Sequence, residues 1–223
     1  MLAGGWALRL AGGCTKRANA ASALAPAGPF AEVRQAAESL YARHGLPAIF
    51  RISPLAGPDA DAELEAAGYR RHDPSLVMTA PLTAAGAGPE DLHLDPAPTD
   101  AWLAGIAEAN DIAPPLRPAH ARMLQAIALP AAFATRHAGG TAIGFGLGVV
   151  ERGAVGLFDI AVAPAVRGRG HGRAITQALL GWGRQAGADS AYLQVREGNA
   201  VARRLYDSLG FRPAYRYHYR MPG

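Results

Sequence analysis

The alternation of apolar and polar positions divides the chain into short strands and longer helices. Near the amino end, "GGWALRLAGGCTKRANAASAL" holds two short apolar runs around "AGG" and reads as two strands joined through that turn. "FAEVRQAAESLYARHG" switches to the helical period, with Val33, Ala37, Leu40 and Tyr41 on one stripe and Gly45 as the terminating glycine. "PAIFRIS" predicts a short strand, "DADAELEAAG" a second helix, and "YRRHDPSLVMTA" a strand that Pro74 should break. The small residues, Gly and Pro of "PLTAAGAGPED" read as a linker, which predicts a smaller domain over 1–85 and a larger one over 86–223.

The second part opens with the strand "LHLDPA", then a helix "TDAWLAGIAEAN" with Thr99 as its N-cap, then a helix "PAHARMLQAIA". Three strands, "AAFATRHA", "TAIGFGLGVVE" and "AVGLFDIAVAP", follow with short Gly-containing turns that favour an antiparallel meander. A helix "GRAITQALLGWGRQAG", a strand "SAYLQVRE", a helix "NAVARRLYDSLG" and a strand "FRPAYRYHYRM" complete the chain. The predicted class is therefore α/β in the α+β sense, a mixed and mainly antiparallel central sheet flanked by helices, with a smaller α/β domain at the amino end.

Composition narrows the classes. In 223 residues, 50% hydrophobic and 18% charged, no apolar run approaches the length of a membrane helix, so a soluble, cytoplasmic globular protein is expected, with no membrane partner. The single cysteine, Cys14, can form no internal disulfide and joins no metal-binding cluster with the scattered histidines, so no metal is expected. The first acidic residue is Glu32, which gives the amino end a faint likeness to a transit peptide, but the strand pattern explains that stretch better. The net charge of +4 could suggest nucleic acid, yet basic and acidic groups nearly balance over 1–85. The excess gathers at Arg167, Arg169, Arg173 and Arg184, which points to a local anion instead.

That cluster surrounds "VAPAVRGRGHGRAI", residues 162–175, at a strand-to-helix junction. Pro164 has no N–H and ends the strand ladder. Glycines at 168, 170 and 172 remove Cβ atoms where the chain turns into the helix, so that backbone N–H groups can converge on a ligand. The helix start adds unpaired N–H groups and a positive dipole end, an arrangement suited to phosphate, and the arginines add permanent charge. The P-loop is excluded because Gly172 is followed by Arg173 and Ala174, and the dinucleotide fingerprint fails because Arg173 stands at its last glycine.

The run Arg167-Gly168-Arg169-Gly170-His171-Gly172 resembles the [Q/R]-x-x-G-x-[G/A] signature of the GCN5-related N-acetyltransferases. "NAVARRLYDSLGF", residues 199–211, resembles that family's second signature, an Asn followed at fixed offsets by Ala, Leu-Tyr and Gly-Phe. The likeness spans roughly residues 90–223. It implies acetyl-CoA as co-substrate, with the amides of Arg167 to Arg173 around the pyrophosphate and the backbone of Ile160, Ala161 and Val162 along the pantetheine arm. Asn199, Ala202 and Tyr206 join that cofactor-binding set. Seven residues apart on a helix is a difference of only ~20°, so Asn199 and Tyr206 share a face, with small Ala202 between. Tyr206 is the candidate acid for the leaving thiolate.

For the base, strand alternation places Asp159 with Leu157 and Ala161, opposite Phe158 and Ile160; general base and hydrogen-bonded structural Asp are both open. Glu197 could act instead through a water. His171 belongs with the phosphate loop, and His93, His120, His137 and His218 are expected in surface or packing roles. In the first half, "ALAPAG" at 23–28 echoes "AVAPAV" at 161–166, and each precedes helix, strand, helix and strand. This resembles a degenerate second copy of the same fold without the glycine loop, the alternative being chance likeness of two short α/β segments. The expected activity is acetyl transfer to a primary amine of a small molecule or peptide, with no nucleic-acid partner and with a homodimer open to it. The rival reading is a non-catalytic acetyl-CoA sensor or interaction module.

Overall fold

The computed structural model describes residues 1–25, 29–82 and 91–223. The chain is mixed α/β, with strands mostly antiparallel and helices flanking them. It packs into two compact units, Met1–Val77 with Val195–Ala200 and Pro213–Gly223, and Met78–Gln194 with Val201–Arg212. The units interleave along the chain, and the boundary expected at 85/86 lies outside the described residues.

In the first unit the strand order is β1 (Leu2–Ala3), β2 (Trp6–Leu8), β3 (Ala21–Ala23), β4 (Phe50–Ile52), β11 (Arg212–Pro222), β5 (Tyr69–Pro81). The predicted hairpin forms, β2 pairing antiparallel to β3 with Trp6 opposite Ala23. Helix α1 (Phe30–Arg43) connects β3 to β4, which run parallel, and α2 (Gly57–Ala66) leads on to β5. The stripe read from sequence is the buried one, Val33, Ala37, Leu40 and Tyr41, and Gly45 at φ +64° follows the helix end. Trp6, Phe30, Phe50 and Tyr69 form the aromatic centre, with ring centroids 5.3 Å apart for Trp6 and Phe30 and 5.5 Å for Phe50 and Tyr69. Such pairs add about 0.5–1.5 kcal/mol each beyond their burial. One expectation fails here: β5 runs unbroken through Pro74. Asp73, at φ +47°, takes the irregularity just before the proline, which lets the strand resume.

In the second unit the order is β10 (Ser190–Arg196), β9 (Ala154–Val162), β8 (Thr141–Glu151), β7 (Ala131–Ala138), β6 (Leu92–Asp95). The meander β6 to β9 is antiparallel, and β9 and β10 are parallel, connected by α5 (His171–Gln185). Helices α3 (Asp100–Ala109) and α4 (Arg117–Gln125) precede the meander, and α6 (Ala200–Ser208) follows β10. Thr99 caps α3 as predicted, its hydroxyl accepting from the Trp102 N–H at 3.1 Å. Trp102, Ile106, Leu124, Phe133, Phe145 and Leu147 form one core cluster. On the other face, β8 meets α5 through glycines: a Cβ on Gly146 would come within 2.6 Å of Ile175 and 2.8 Å of Ile160.

Simple alternation in β9 fails at Asp159. Phe158 pairs with Leu147 and Ala161 with Phe145, so Asp159 and Ile160 together face a single β8 residue, Gly146. Asp159 takes φ +50°, the signature of a bulge. Phe158 and Ala161 therefore pack against the same cluster, while Ile160 points to the α5 face, reversing the expected placement of Ile160 and Ala161.

Candidate active site

The junction after β9 has the predicted geometry. Pro164–Val166 forms a 3-10 turn, Gly168 takes φ +77° and Gly170 φ +84°, and Gly170 is the left-handed N-cap of α5. A side chain at either glycine would be strained, and a Cβ there would meet no atom within 4 Å, so the space beside the backbone is open. The N–H groups of His171, Gly172 and Arg173 lie in the first turn of a helix with no acidic residue there, and Ala174 is the residue that donates back to Gly170 O, at 3.1 Å. Gly172 has no conformational need: a Cβ there would touch Leu205 and Val162 at ordinary distances of 3.7 and 3.8 Å.

The arginines divide. Arg167 folds back so that its Nε donates to Val162 O at 3.0 Å, and Arg173 Nη2 donates to Ser208 Oγ at 2.5 Å, tying α5 to α6. Arg169 is exposed in the loop. Arg184, grouped with them by charge alone, sits in the last turn of α5 and donates to Leu82 O at 2.6 Å, so it belongs to the far end of the helix.

Ile160, Ala161 and Val162 are half-buried. The β9–β10 ladder is registered up to Leu157 opposite Leu193, yet β9 continues to Val162. Parallel strands that part in this way leave a peptide edge suited to an extended ligand. In the second unit, Tyr206 is buried to 8% exposure and sets its ring edge-on to Phe211 at 5.9 Å. Burial raises its hydroxyl pKa above the ordinary value.

Asn199 directly precedes α6, which begins at Ala200 and not at Asn199; its N–H donates to Arg196 O at 3.0 Å. Ala202 lies in α6 and is half-buried. Glu197 is ion-paired with Arg216 at 3.0 Å. Both Glu197 and Asn199 fall in the first unit, whereas Asp159, Tyr206 and the glycine loop fall in the second.

Two of the histidines expected in surface or packing roles are buried. His218 has a clear partner, Asp61, at 2.8 Å. His120 in α4 is 5% exposed, and its imidazole feels the charge of Asp159. The spacing of His120 four residues before Leu124 sets both on the buried stripe of α4.

Residues 1–220 match the family described as "Probable histone acetyltransferase Rv0428c C-terminal". The chain is similar to "Uncharacterized N-acetyltransferase YobR" of Bacillus subtilis, 29% identical over 225 residues, 98% of this chain and 90% of that one. It is also similar over a short stretch to the "[Ribosomal protein bS18]-alanine N-acetyltransferase" of Haemophilus ducreyi, 38% identical over 55 residues, 25% of this chain and 38% of that one. Among solved structures, a GCN5-related N-acetyltransferase from Sphaerobacter thermophilus superposes with a TM-score of 0.68 at 22% identity, covering 86% of this chain and 66% of that one, a likeness of fold.

Proposed function

The chain belongs to the GCN5-related N-acetyltransferases, in the family described as probable histone acetyltransferase Rv0428c C-terminal, and from that membership we propose that it moves the acetyl group of acetyl-CoA directly to a primary amine. The observation that carries the reading is the left-handed Gly168 and Gly170 at the start of α5, following a strand that outruns its parallel partner. The open space beside those glycines fits a pyrophosphate, with the amides of Arg167 to Arg173 as donors and Arg169 as counter-charge. Along β9, the backbone of Ile160 to Val162 fits the pantetheine arm. Bound acetyl-CoA supplies the activated acyl carbon. Tyr206 then gives a proton to the departing sulfur, and Asn199 and Ala202 are the other residues of that second signature read as cofactor-binding. Asp159 and Glu197 are the carboxylates offered as base, and Glu197 is ion-paired with Arg216.

Residues 1–85 are read as a degenerate copy of the catalytic domain at 86–223. The support is topological: β3, α1 and parallel β4 followed by α2 and β5 repeat the order of β9, α5 and parallel β10 followed by α6 and β11. The acceptor is a small-molecule or peptide amine, and cytoplasmic action without nucleic acid is part of the reading. The matched family's description and the Haemophilus relative's name both concern protein amines, so peptides lead the acceptor panel. The test is release of CoA thiol over a panel of peptides, polyamines, amino acids and aminoglycosides, with acetyl-CoA binding measured calorimetrically. Binding without thiol release by any amine identifies the non-catalytic sensor; the retention of Tyr206 in the second signature favours the enzyme.

A further inference from the structure

The starts of α1 and α2 border a cavity of about 420 Å³ whose lining belongs wholly to the first unit. That volume falls within the roughly 300–1,000 Å³ of ligand pockets. Phe30, Leu55 and the rings of Pro29, Pro54 and Pro58 make its apolar part. The Phe30 ring is held from behind by Trp6 at 5.3 Å and Phe50 at 5.6 Å, so that wall is fixed. Leu55 is 46% exposed, a large apolar side chain left at the surface.

The polar part is Asp59 and Glu63, exposed side chains one turn apart on the same face of α2. Among the described residues neither carboxylate has a hydrogen bond or an ion pair. Their neighbours on the helix differ, since Asp61 and Glu65 are paired with Arg220 at 2.7 and 3.4 Å. Backbone donors are scarce at the rim. Pro29 before α1, Pro54 in the 3-10 turn Pro54–Ala56 and Pro58 at the start of α2 supply no N–H where a first turn would otherwise offer one. Each helix start contributes roughly half a positive charge, which is outweighed by two full carboxylate charges. The cavity is therefore net negative at one end and apolar at the other.

We propose that this cavity docks a lysine side chain of a partner peptide. Its four-carbon stem lies along Phe30, Leu55 and the proline rings, and its ammonium reaches Asp59 and Glu63. An ammonium has three donors that rotate freely, so each carboxylate can receive one, whereas the planar fork of a guanidinium matches a single carboxylate. Exposed Leu55 gives the peptide on either side of the lysine an apolar surface to lie on, which a free amine would not use. The site lies in the first unit and does not rest on the acetyl-transfer reading above.

The experiment titrates the full chain with Nα-acetyl-lysine methylamide, a lysine in peptide form, and follows the α2 amides and the Phe30 ring by NMR. Saturable binding is expected, with a dissociation constant on the order of 1 mM, the level that an apolar stem and two exposed ion pairs support. Asp59→Asn combined with Glu63→Gln should weaken it by about 5-fold or more, two exposed ion pairs being lost. Both side chains are exposed and asparagine suits a helix start, so the fold is kept. Leu55→Ala, which leaves both charges in place, should weaken binding as well. Nα-acetyl-norleucine methylamide keeps the stem without the charge and should bind more weakly than the lysine probe by a similar factor. Equal binding of the two probes, or an affinity unmoved by the double variant, overturns the proposal. n-Butylammonium carries stem and charge without the peptide, and binding as tight as that of the lysine probe would overturn the peptide as occupant. Tighter binding of Nα-acetyl-arginine methylamide would overturn the choice of ammonium, and the absence of any saturable shift at α2 would overturn the site itself.

Discussion

Among the described residues, two crossovers are of the same kind, β3 to α1 to β4 and β9 to α5 to β10, each joining parallel strands through one helix. Their junctions differ. Before α5 stands Gly170 at φ +84°, with Arg169 and Arg173 beside it and no acidic residue in the first turn. Before α1 stands Pro29 at φ −52°, which has no N–H, and Glu32 lies in the first turn. A cavity of about 420 Å³ does exist beside the starts of α1 and α2, but Pro29, Phe30, Leu55, Asp59 and Glu63 line it. An anion site is made by the residues at the junction and not by the crossover that carries them.

The largest test of that contrast is stoichiometric. Isothermal titration with CoA should give one site per chain, and Gly170→Glu should weaken it by more than ~100-fold, about 2.8 kcal/mol at 1.4 kcal/mol per decade. Because any side chain at φ +84° carries strain, Gly170→Asn serves as the control: asparagine accepts the left-handed region and adds no charge, so it should lose far less. Two sites in the unmodified chain, or a site that survives Gly170→Glu, would break the comparison by showing that the α1 junction binds too.

A smaller effect separates binding from chemistry within the second unit. Tyr206→Phe keeps the ring against Phe211 and removes the hydroxyl, so kcat should fall ~10²-fold with KM for acetyl-CoA nearly unchanged. An unaltered kcat, measured where chemistry limits the rate, would reduce Tyr206 to packing.

Much of this contrast is legible in the sequence, because glycines, prolines and charged residues at helix starts act locally. The stripe Val33, Ala37, Leu40 and Tyr41, the Thr99 cap, and the turn at Gly168 and Gly170 are each read from a short local run of sequence. What escapes depends on partners distant in sequence. Pro74 sits within a strand because Asp73 absorbs the irregularity. Ile160 and Ala161 exchange faces because the ladder to β8 slips by one residue at Asp159. His218 acquires meaning only once the fold sets Asp61 beside it. Arg184 shows the converse, a charge that sequence proximity assigned to the loop although a whole helix separates them.

The helices of the two crossovers also pack differently, and a milder substitution sharpens this. α1 buries Val33, Ala37, Leu40 and Tyr41, whereas α5 approaches β9 through Gly183, where a Cβ would lie 2.7 Å from Val155. Alanine gains about 1 kcal/mol of helix propensity over glycine, but overpacking against a β-branched strand residue costs about 1–3 kcal/mol. Gly183→Ala should therefore lower stability slightly, read as a fall in the denaturant midpoint. A rise would mean that α5 can move outward without loss.

The smallest effect concerns acid, and it belongs to the first unit. Asp61 joins Arg220 at 2.7 Å and His218 at 2.8 Å, and Arg220, 5% exposed, also donates to Tyr69 O at 3.0 Å. Burial alone would raise the Asp61 pKa, but the hydrogen bonds from Arg220 and His218 outweigh it and leave the carboxyl below its ordinary value of 3.8. A carboxyl depressed in the folded state contributes stability that is fully present above the unfolded value and is lost as pH falls through the folded one. The loss should thus begin below about pH 4. The Asp61 side chain is 35% exposed, so solvent screening limits the contribution to about 1 kcal/mol or less. Hydrogen exchange at β11 amides should accelerate over that range in the unmodified protein, and Asp61→Asn should start from a faster rate and flatten the dependence. Equal slopes in the two proteins would remove Asp61 from the account and leave Asp73, lowered chiefly by its hydrogen bond from Lys16, as the acid-sensitive carboxylate of that unit.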